Sequence, residues 1–198
     1  MALVILLGYA IGSVPFALLL ARRWGAPDLR TIGSGNLGAA NVFRASGVTA
    51  GILVAALDIT KGALSVTLAR YVSDQAAAPA AAGLAAIVGH IYPIWIRFRG
   101  GKGVATACGV MFGFDLWLGL GTLVTWILIA VFFRLSSLAA LVAALFAPSF
   151  AFWLFGLTNV LWAVASISLL LVWRHRGNIA RLVSGQESRI GAKSGAGR

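Results

Sequence analysis

The sequence predicts an all-α, polytopic integral membrane protein with about seven transmembrane helices, the N-terminus outside and the C-terminus cytoplasmic. Three observations carry that reading. Of the 198 residues, 60% are hydrophobic and only 11% are charged, against about 25% charged in an ordinary soluble domain. Mean hydropathy is +0.94. The apolar residues also fall in runs near the ~20 residues needed to cross a bilayer, and cations collect between alternate runs.

The first run, 2–21, reads as an uncleaved span. Met1-Ala2-Leu3-Val4 offers no cationic leader, and Arg22 and Arg23 follow the apolar stretch instead of preceding it. Further spans are drawn at 48–72, 79–96, 103–114, 116–133, 136–155 and 158–173. The segment 103–114 is too short to cross as a straight helix. It either gains length from the glycine loop before it or is re-entrant, so five or six spans stay open beside seven. Pro15 and Pro148 fall within spans, where proline is tolerated if neighbours satisfy the freed carbonyl. Small residues such as Ala80-Ala81-Ala82-Gly83 permit close helix packing.

Seven spans place fourteen of the sixteen Lys and Arg on one side; Lys61 and Arg70, within the second span, are the exceptions, and the opposite loops carry Asp74 and Asp115. The positive-inside rule puts the fourteen in the cytoplasm. A net charge of +11 would suit nucleic acid, but it is spread between membrane segments and makes no single basic face, so no nucleic-acid partner is expected and the bilayer is. Nothing points to an obligate protein partner. Cys108 is the only cysteine, which excludes an internal disulfide. Residues 1–183 read as one transmembrane catalytic domain with cytoplasmic motif loops 22–47, 97–103 and 174–187, and 184–198 as a polar, flexible tail.

Three polar clusters interrupt the apolar background. Arg97-Phe98-Arg99-Gly100-Gly101-Lys102-Gly103-Val104-Ala105-Thr106 combines three cations with three glycines. Glycines let backbone N–H groups face a ligand, and a helix start adds a positive dipole end, so the stretch suits phosphate or another oxyanion. A loop that only fixes topology is the simpler reading, but topology needs charge and not glycine. It is not a P-loop: Ile96 stands where the first glycine belongs and Gly103 where Ser or Thr would bind Mg²⁺. The second cluster, 33–44, spells GxGxxG through Gly33, Gly35 and Gly38, but no soluble βαβ unit surrounds it. Ser34, Asn36, Asn41 and Arg44 supply its polar groups. The third, 173–187, carries His175, Asn178 and Glu187, which a basic segment lying on anionic lipid does not require. Within the spans, Asp58 and Lys61 are spaced to meet on one helix face, as a structural pair or a functional one. His90 would reach the anion site if its helix broke at Pro93. Two histidines and five acids are scattered without metal-ligand spacing, so neither metal nor cofactor is expected.

The blocks 33–44 (GSGNLGAANVFR), 89–106 (GHIYPIWIRFRGGKGVAT) and 175–187 (HRGNIARLVSGQE), with 58–62 (DITKG), resemble the PlsY family, the acyl-phosphate:glycerol-3-phosphate acyltransferases of bacteria. The resemblance runs from the first span to Glu187. It implies transfer of a fatty acyl group from acyl phosphate to the 1-hydroxyl of glycerol 3-phosphate, giving lysophosphatidate and phosphate, the first acylation in phospholipid biosynthesis, at the bacterial inner membrane with the site facing the cytoplasm. By that resemblance Lys102, Ser34, Arg44, His175 and Asn178 grip the glycerol phosphate and line the reacting centre. Gly100, Gly101 and Gly103 would cradle phosphate through backbone N–H groups. Gly33, Gly35, Asn36, Asn41, His90, Thr106 and Glu187 complete the expected binding set. A transporter of phosphate esters would use similar loops but needs residues at the midplane reachable from both faces; a lipid-binding scaffold would show neither turnover nor flux. For the reaction, direct attack without an acyl-enzyme is expected, with His90, His175 or a substrate phosphate oxygen taking the proton.

Overall fold

A computed structural model describes residues 1–25, 28–32 and 35–191. The expectations placed on Gly33, Ser34 and residues 192–198 lie outside the described residues. The helices in order are α1 (Ala2–Gly12), α2 (Phe16–Arg23), α3 (Ala39–Ser46), α4 (Val48–Val72), α5 (Ala78–Ile91), α6 (Val104–Phe114), α7 (Leu116–Phe133), α8 (Ser136–Phe155), α9 (Asn159–Arg174) and α10 (Arg176–Val183), with one 3₁₀ turn at Ile94–Ile96. Among the described residues there is no strand. Five segments among the described residues are long and apolar enough to cross a membrane: Ala2–Arg23, Val48–Val72, Ala78–Ile96, Leu116–Phe133 and Ser136–Phe155. Val104–Phe114 and Asn159–Arg174 are apolar but shorter; α9, expected as a full span, has 16 residues.

Two expected spans are broken, both at proline. The first divides at Ser13–Pro15, because Pro15 has no N–H with which to continue the ladder. The Val14 carbonyl in this break accepts from Phe16 N at 3.1 Å and from Lys61 Nζ at 2.9 Å, so the intramembrane lysine adds a bond at the break. The 79–96 span ends at Ile91, and Pro93 caps the 3₁₀ turn. The two breaks are stitched together: Trp95 Nε1 donates to Ser13 Oγ at 2.8 Å, and Tyr9 Oη donates to the Tyr92 carbonyl at 2.8 Å.

Small residues set the helix pairs. α1 lies along α5, α4 along α6, and α7 and α9 on either side of α8. At the α4–α6 crossing, a Cβ on Gly62 would strike the Thr106 carbonyl and one on Gly109 the Ile59 carbonyl. Backbone-to-backbone approach of this kind is how helices associate where lipid offers no hydrophobic drive. The main core gathers Ile87 and Ile91 from α5, Val110 and Phe114 from α6, and Val164 and Ile167 from α9. Large apolar groups such as Phe132 and Trp153 point outward, as a lipid-facing surface requires. Arg70 donates to the Phe114 carbonyl at 2.8 Å, closing α6. Asp115 caps α7 by accepting from Trp117 N at 2.7 Å.

The described part of the tail makes long-range bonds. Ile190 N donates to the Arg134 carbonyl at 2.6 Å and Arg134 Nη2 donates to the Ile190 carbonyl at 3.0 Å. Residues 184–191 are therefore tied to the α7–α8 turn. The reason is a long-range pairing that local composition does not reveal.

Candidate active site

The site is built on the return of the chain after α5. Gly100 N–H donates to the Ile91 carbonyl at 3.0 Å and Gly101 N–H to the His90 carbonyl at 3.2 Å. These two bonds fold the loop back onto the end of α5 and satisfy carbonyls that a helix end leaves over. They also correct the expected phosphate cradle: the Gly100 and Gly101 N–H groups are already engaged. Gly100 has to be glycine because a Cβ would overlap the His90 and Ile91 carbonyl oxygens. The anion-facing donors move one step on. Gly103, at φ 88°, is the N-cap of α6, and no side chain caps that helix, so its first turn presents N–H groups and the positive dipole end.

Lys102 projects from this loop into the third cluster, where Nζ donates to Asn178 Oδ1. Asn178 Nδ2 donates to Glu187 Oε1 at 2.6 Å, and Arg181 Nε donates to Glu187 Oε2 at 2.7 Å. The network fixes the amide: its oxygen faces the lysine and its NH₂ faces the carboxylate. Glu187 was expected to bind substrate. Its oxygens are instead occupied by Asn178 and Arg181, and a carboxylate would repel phosphate. It is bonded to both of these side chains. Burial works to raise the Glu187 pKa, but polar contacts from Ser137, Asn178 and Arg181 outweigh it and hold the carboxyl below its usual range.

Burial pulls the Lys102 pKa down to about 8; Glu187 pulls it back up, while Arg181, Arg174 and Arg44 lower it further. Arg44 lies in the last turn of α3 and is one of the cations acting on Lys102. His175 is buried, and Nδ1 lies 2.7 Å from the Leu171 carbonyl. A carbonyl only accepts, so Nδ1 carries the hydrogen and the neutral ring keeps its lone pair at Nε2. Burial drives the His175 pKa to about 4 against the bond to Leu171, with Lys102 and Arg174 lowering it further. The imidazole is neutral at pH 7.

His90 and Thr106 sit one layer deeper. Both are buried, and His90 Nδ1 is 3.0 Å from Thr106 Oγ1. Asp58 Oδ1 lies 3.8 Å from the same nitrogen and 2.7 Å from Lys61 Nζ. The intramembrane pair and the α5 histidine are thus one cluster. Thr106, expected on substrate, is engaged with His90. A narrow crevice lies between the α1–α2 break and the glycine loop, lined by Asp58, Lys61, His90, Gly100 and Gly101.

The first motif loop is held by its own backbone. Gly35 takes a positive φ of 65° and donates to the Ile32 carbonyl at 2.9 Å. Asn36 lies beside Gly38, the N-cap of α3. Asn41 is buried, and its Nδ2 donates to the Leu29 carbonyl at 2.8 Å, so this amide braces the loop. Two residues were missed. Arg174 Nη2 donates to the Gly101 carbonyl at 3.2 Å, clamping the loop from α9, and Arg181 holds Glu187. A signal for Arg181 was present: it falls three residues after Asn178, on the same helix face. None existed for Arg174, because its partner is 73 positions away.

The model of the glycerol-3-phosphate acyltransferase family matches residues 2–185. The chain belongs to this family. Among curated members, the glycerol-3-phosphate acyltransferase of Burkholderia vietnamiensis (strain G4 / LMG 22486) is 53% identical over 193 residues, covering 96% of this chain and 91% of its own length. That of Burkholderia ambifaria (strain ATCC BAA-244) is 52% identical with the same coverage. Two solved structures of PlsY (YgiH), an integral membrane glycerol 3-phosphate acyltransferase, have the same fold. Its glycerol 3-phosphate form aligns with a TM-score of 0.91 at 39% identity, covering 96% of this chain and 95% of that one. Its lysophosphatidic acid form aligns at 0.88 and 38%, with the same coverage. The acyltransferase chain is therefore a multi-pass, all-helical membrane protein of the PlsY type.

Proposed function

We propose that this protein transfers a fatty acyl group from acyl phosphate to the 1-hydroxyl of glycerol 3-phosphate, releasing lysophosphatidate and inorganic phosphate, the first acylation of phospholipid biosynthesis. The observation that carries the reading is the cationic cluster at the glycine loop. Lys102, aimed by Asn178 and flanked by Arg44, Arg174 and Arg181, stands beside the uncapped start of α6. Two phosphate-bearing substrates call for such a concentration of cations and N–H donors. The related PlsY structures carry glycerol 3-phosphate and lysophosphatidic acid in their names, which supports acceptor and product. Acyl phosphate as donor rests on the family resemblance, and so does Ser34 as part of the grip.

In this reading the glycerol 3-phosphate hydroxyl attacks the acyl carbonyl carbon directly. The bond from carbonyl carbon to phosphate oxygen breaks, and phosphate leaves with the electron pair. Acyl phosphate is already activated, so positioning and charge stabilisation supply the catalysis. The hydroxyl proton passes to a phosphate oxygen. His175, with a pKa near 4, is the weaker base; a phosphate monoester has its second pKa near 6. His175 Nε2 instead accepts a hydrogen bond that orients the acceptor.

The deciding experiment incubates the purified protein in detergent with a long-chain acyl phosphate and glycerol 3-phosphate and follows phosphate release. Turnover without a membrane gradient is expected, in the presence of EDTA as well. Comparable phosphate-independent transfer from acyl-CoA would overturn the donor, and flux in vesicles without product would favour a transporter. In this reading the cationic motif loops face the cytoplasm at the bacterial inner membrane, as the positive-inside rule favours. Single cysteines at Asp74 and Ser184, in a Cys108→Ala background, are expected to label from opposite faces; labelling from the same face would contradict the seven-span arrangement.

The lysine also sets the pH profile. Its pKa is lowered to about 8 in the free protein, so the cation is present below that pH and lost above it. kcat/KM for glycerol 3-phosphate reports the free enzyme and is expected to fall as pH rises through about 8. kcat should hold to higher pH, because a bound phosphate restores the lysine proton. A flat kcat/KM to pH 10 would detach Lys102 from acceptor binding.

A further inference from the structure

We propose that His90 is a positioning residue, a prop beneath the glycine loop that sets the depth of Lys102, and that Gly101 is glycine because of that imidazole. The inference rests on the acyl-transfer reading above and assigns His90 a part other than substrate contact or proton transfer.

The ring is held from below. Nδ1 is 3.0 Å from Thr106 Oγ1 and 3.8 Å from Asp58 Oδ1. Asp58 pairs with Lys61 at 2.7 Å, and Lys61 donates to the Val14 carbonyl at 2.9 Å. Three helices and the α1–α2 break therefore meet around one imidazole: α4 through the ion pair, α5 through the histidine itself, α6 through Thr106, and the break through Val14. Charges kept at this depth need a partner and a reason. Holding a ring at one height is such a reason.

The opposite edge of the ring meets the loop. A Cβ added to Gly101 would fall on His90 Nε2, and the next nearest atoms are Cδ2 and Cε1 of the same ring. Gly101 is not among the residues of positive φ, so its backbone would accept alanine; only the imidazole forbids it. Gly100 differs, since its Cβ would meet the His90 and Ile91 carbonyls, which no side-chain substitution removes. Gly101 is also pinned by its N–H to the His90 carbonyl and by Arg174 on its own carbonyl. The residue before Lys102 is thus fixed from below, behind and beside. Either tautomer of His90 props the loop equally.

The test is a double-substitution cycle in the full-length protein: His90→Ala, Gly101→Ala, both together, and Gly100→Ala with and without His90→Ala. Each single change at 90 or 101 is expected to raise KM for glycerol 3-phosphate about tenfold or more while moving KM for acyl phosphate less than about twofold. In the double variant the alanine methyl occupies space the ring has vacated, so it is expected to exceed both singles in kcat/KM. Gly100→Ala should show no such recovery. Melting temperatures of the same set read the contact without turnover: Gly101→Ala should be stabilised by adding His90→Ala. If Gly101→Ala alone does not fold, recovery of folded protein in the His90→Ala background serves as the reading. Additive effects in both kinetics and melting, or equal rescue of Gly100→Ala, would overturn the proposal. Absent turnover in the unmodified protein would instead overturn the acyl-transfer reading, leaving the melting cycle to decide the prop.

Discussion

Lys102→Met is expected to cut kcat/KM for acyl transfer by roughly 30- to 1,000-fold, the loss of about 2–4 kcal/mol of transition-state stabilisation, while the protein stays folded. The large effect follows from position. Lys102 lies between two glycines, so no neighbouring side chain substitutes for it, and it alone reaches Asn178 from the loop. Folding should survive because the surrounding bonds do not pass through the ammonium: Gly100 and Gly101 stay on α5, and Asn178 stays on Glu187. Methionine also keeps most of the apolar stem. Phosphate release measures the activity, and melting temperature with size-exclusion profile measures the fold. Near-normal turnover by a folded Lys102→Met protein would remove the lysine from the site.

Gly109→Ala is expected to cost about 3 kcal/mol or more of stability, because the added methyl enters the Ile59 carbonyl rather than a compressible side chain. For a chain of this size that corresponds to a fall in melting temperature of roughly 6–12 °C. Relief would require α6 to move away from α4, breaking the reciprocal approach of Gly62 to Thr106. Thr106 would then leave His90, and the start of α6 would shift against Lys102, so turnover should fall as well. Cys108→Ala is the control: the neighbouring side chain is half-buried and makes no such approach, and a change of under about 2 °C is expected there. Equal melting of the two variants would show that the crossing is not as tight as described.

The helical segments and the three polar loops were legible in the sequence because both are local signals: long apolar runs, and cations with glycines between them. The meeting of Lys102 with Asn178 joins residues 76 positions apart, and no local pattern states it; the family resemblance anticipated it where periodicity did not. The breaks at Pro15 and Pro93 were visible as prolines, but not their outcome, since a proline in a span is either bridged or obeyed according to what lies beside it. Lys61 at Val14 and Trp95 at Ser13 decide that here. The cradle expected from Gly100 and Gly101 failed for a related reason. Composition tells that an N–H is bare of side chain, not that a helix end waits to receive it. A carboxylate in a basic cluster reads as part of the grip, and no local pattern shows that the two Glu187 oxygens accept from Asn178 and Arg181.

The pinning of residues 97–103 changes where this chain tolerates added or deleted residues. Connections between helices usually accept insertions at little entropic cost. This one is bonded to α5 at Gly100 and Gly101, to α9 through Arg174, and to α10 through Lys102. One extra residue shifts everything after it by up to ~3.5 Å, further than any of these bonds stretches, so a single insertion would break several at once. The joints at 73–77 and 156–158 carry no such load; Gly156 has nothing within 4 Å of where a side chain would begin. Length variation, epitope tags and fusion junctions therefore belong at those two turns, whereas the glycine loop has a fixed count of residues.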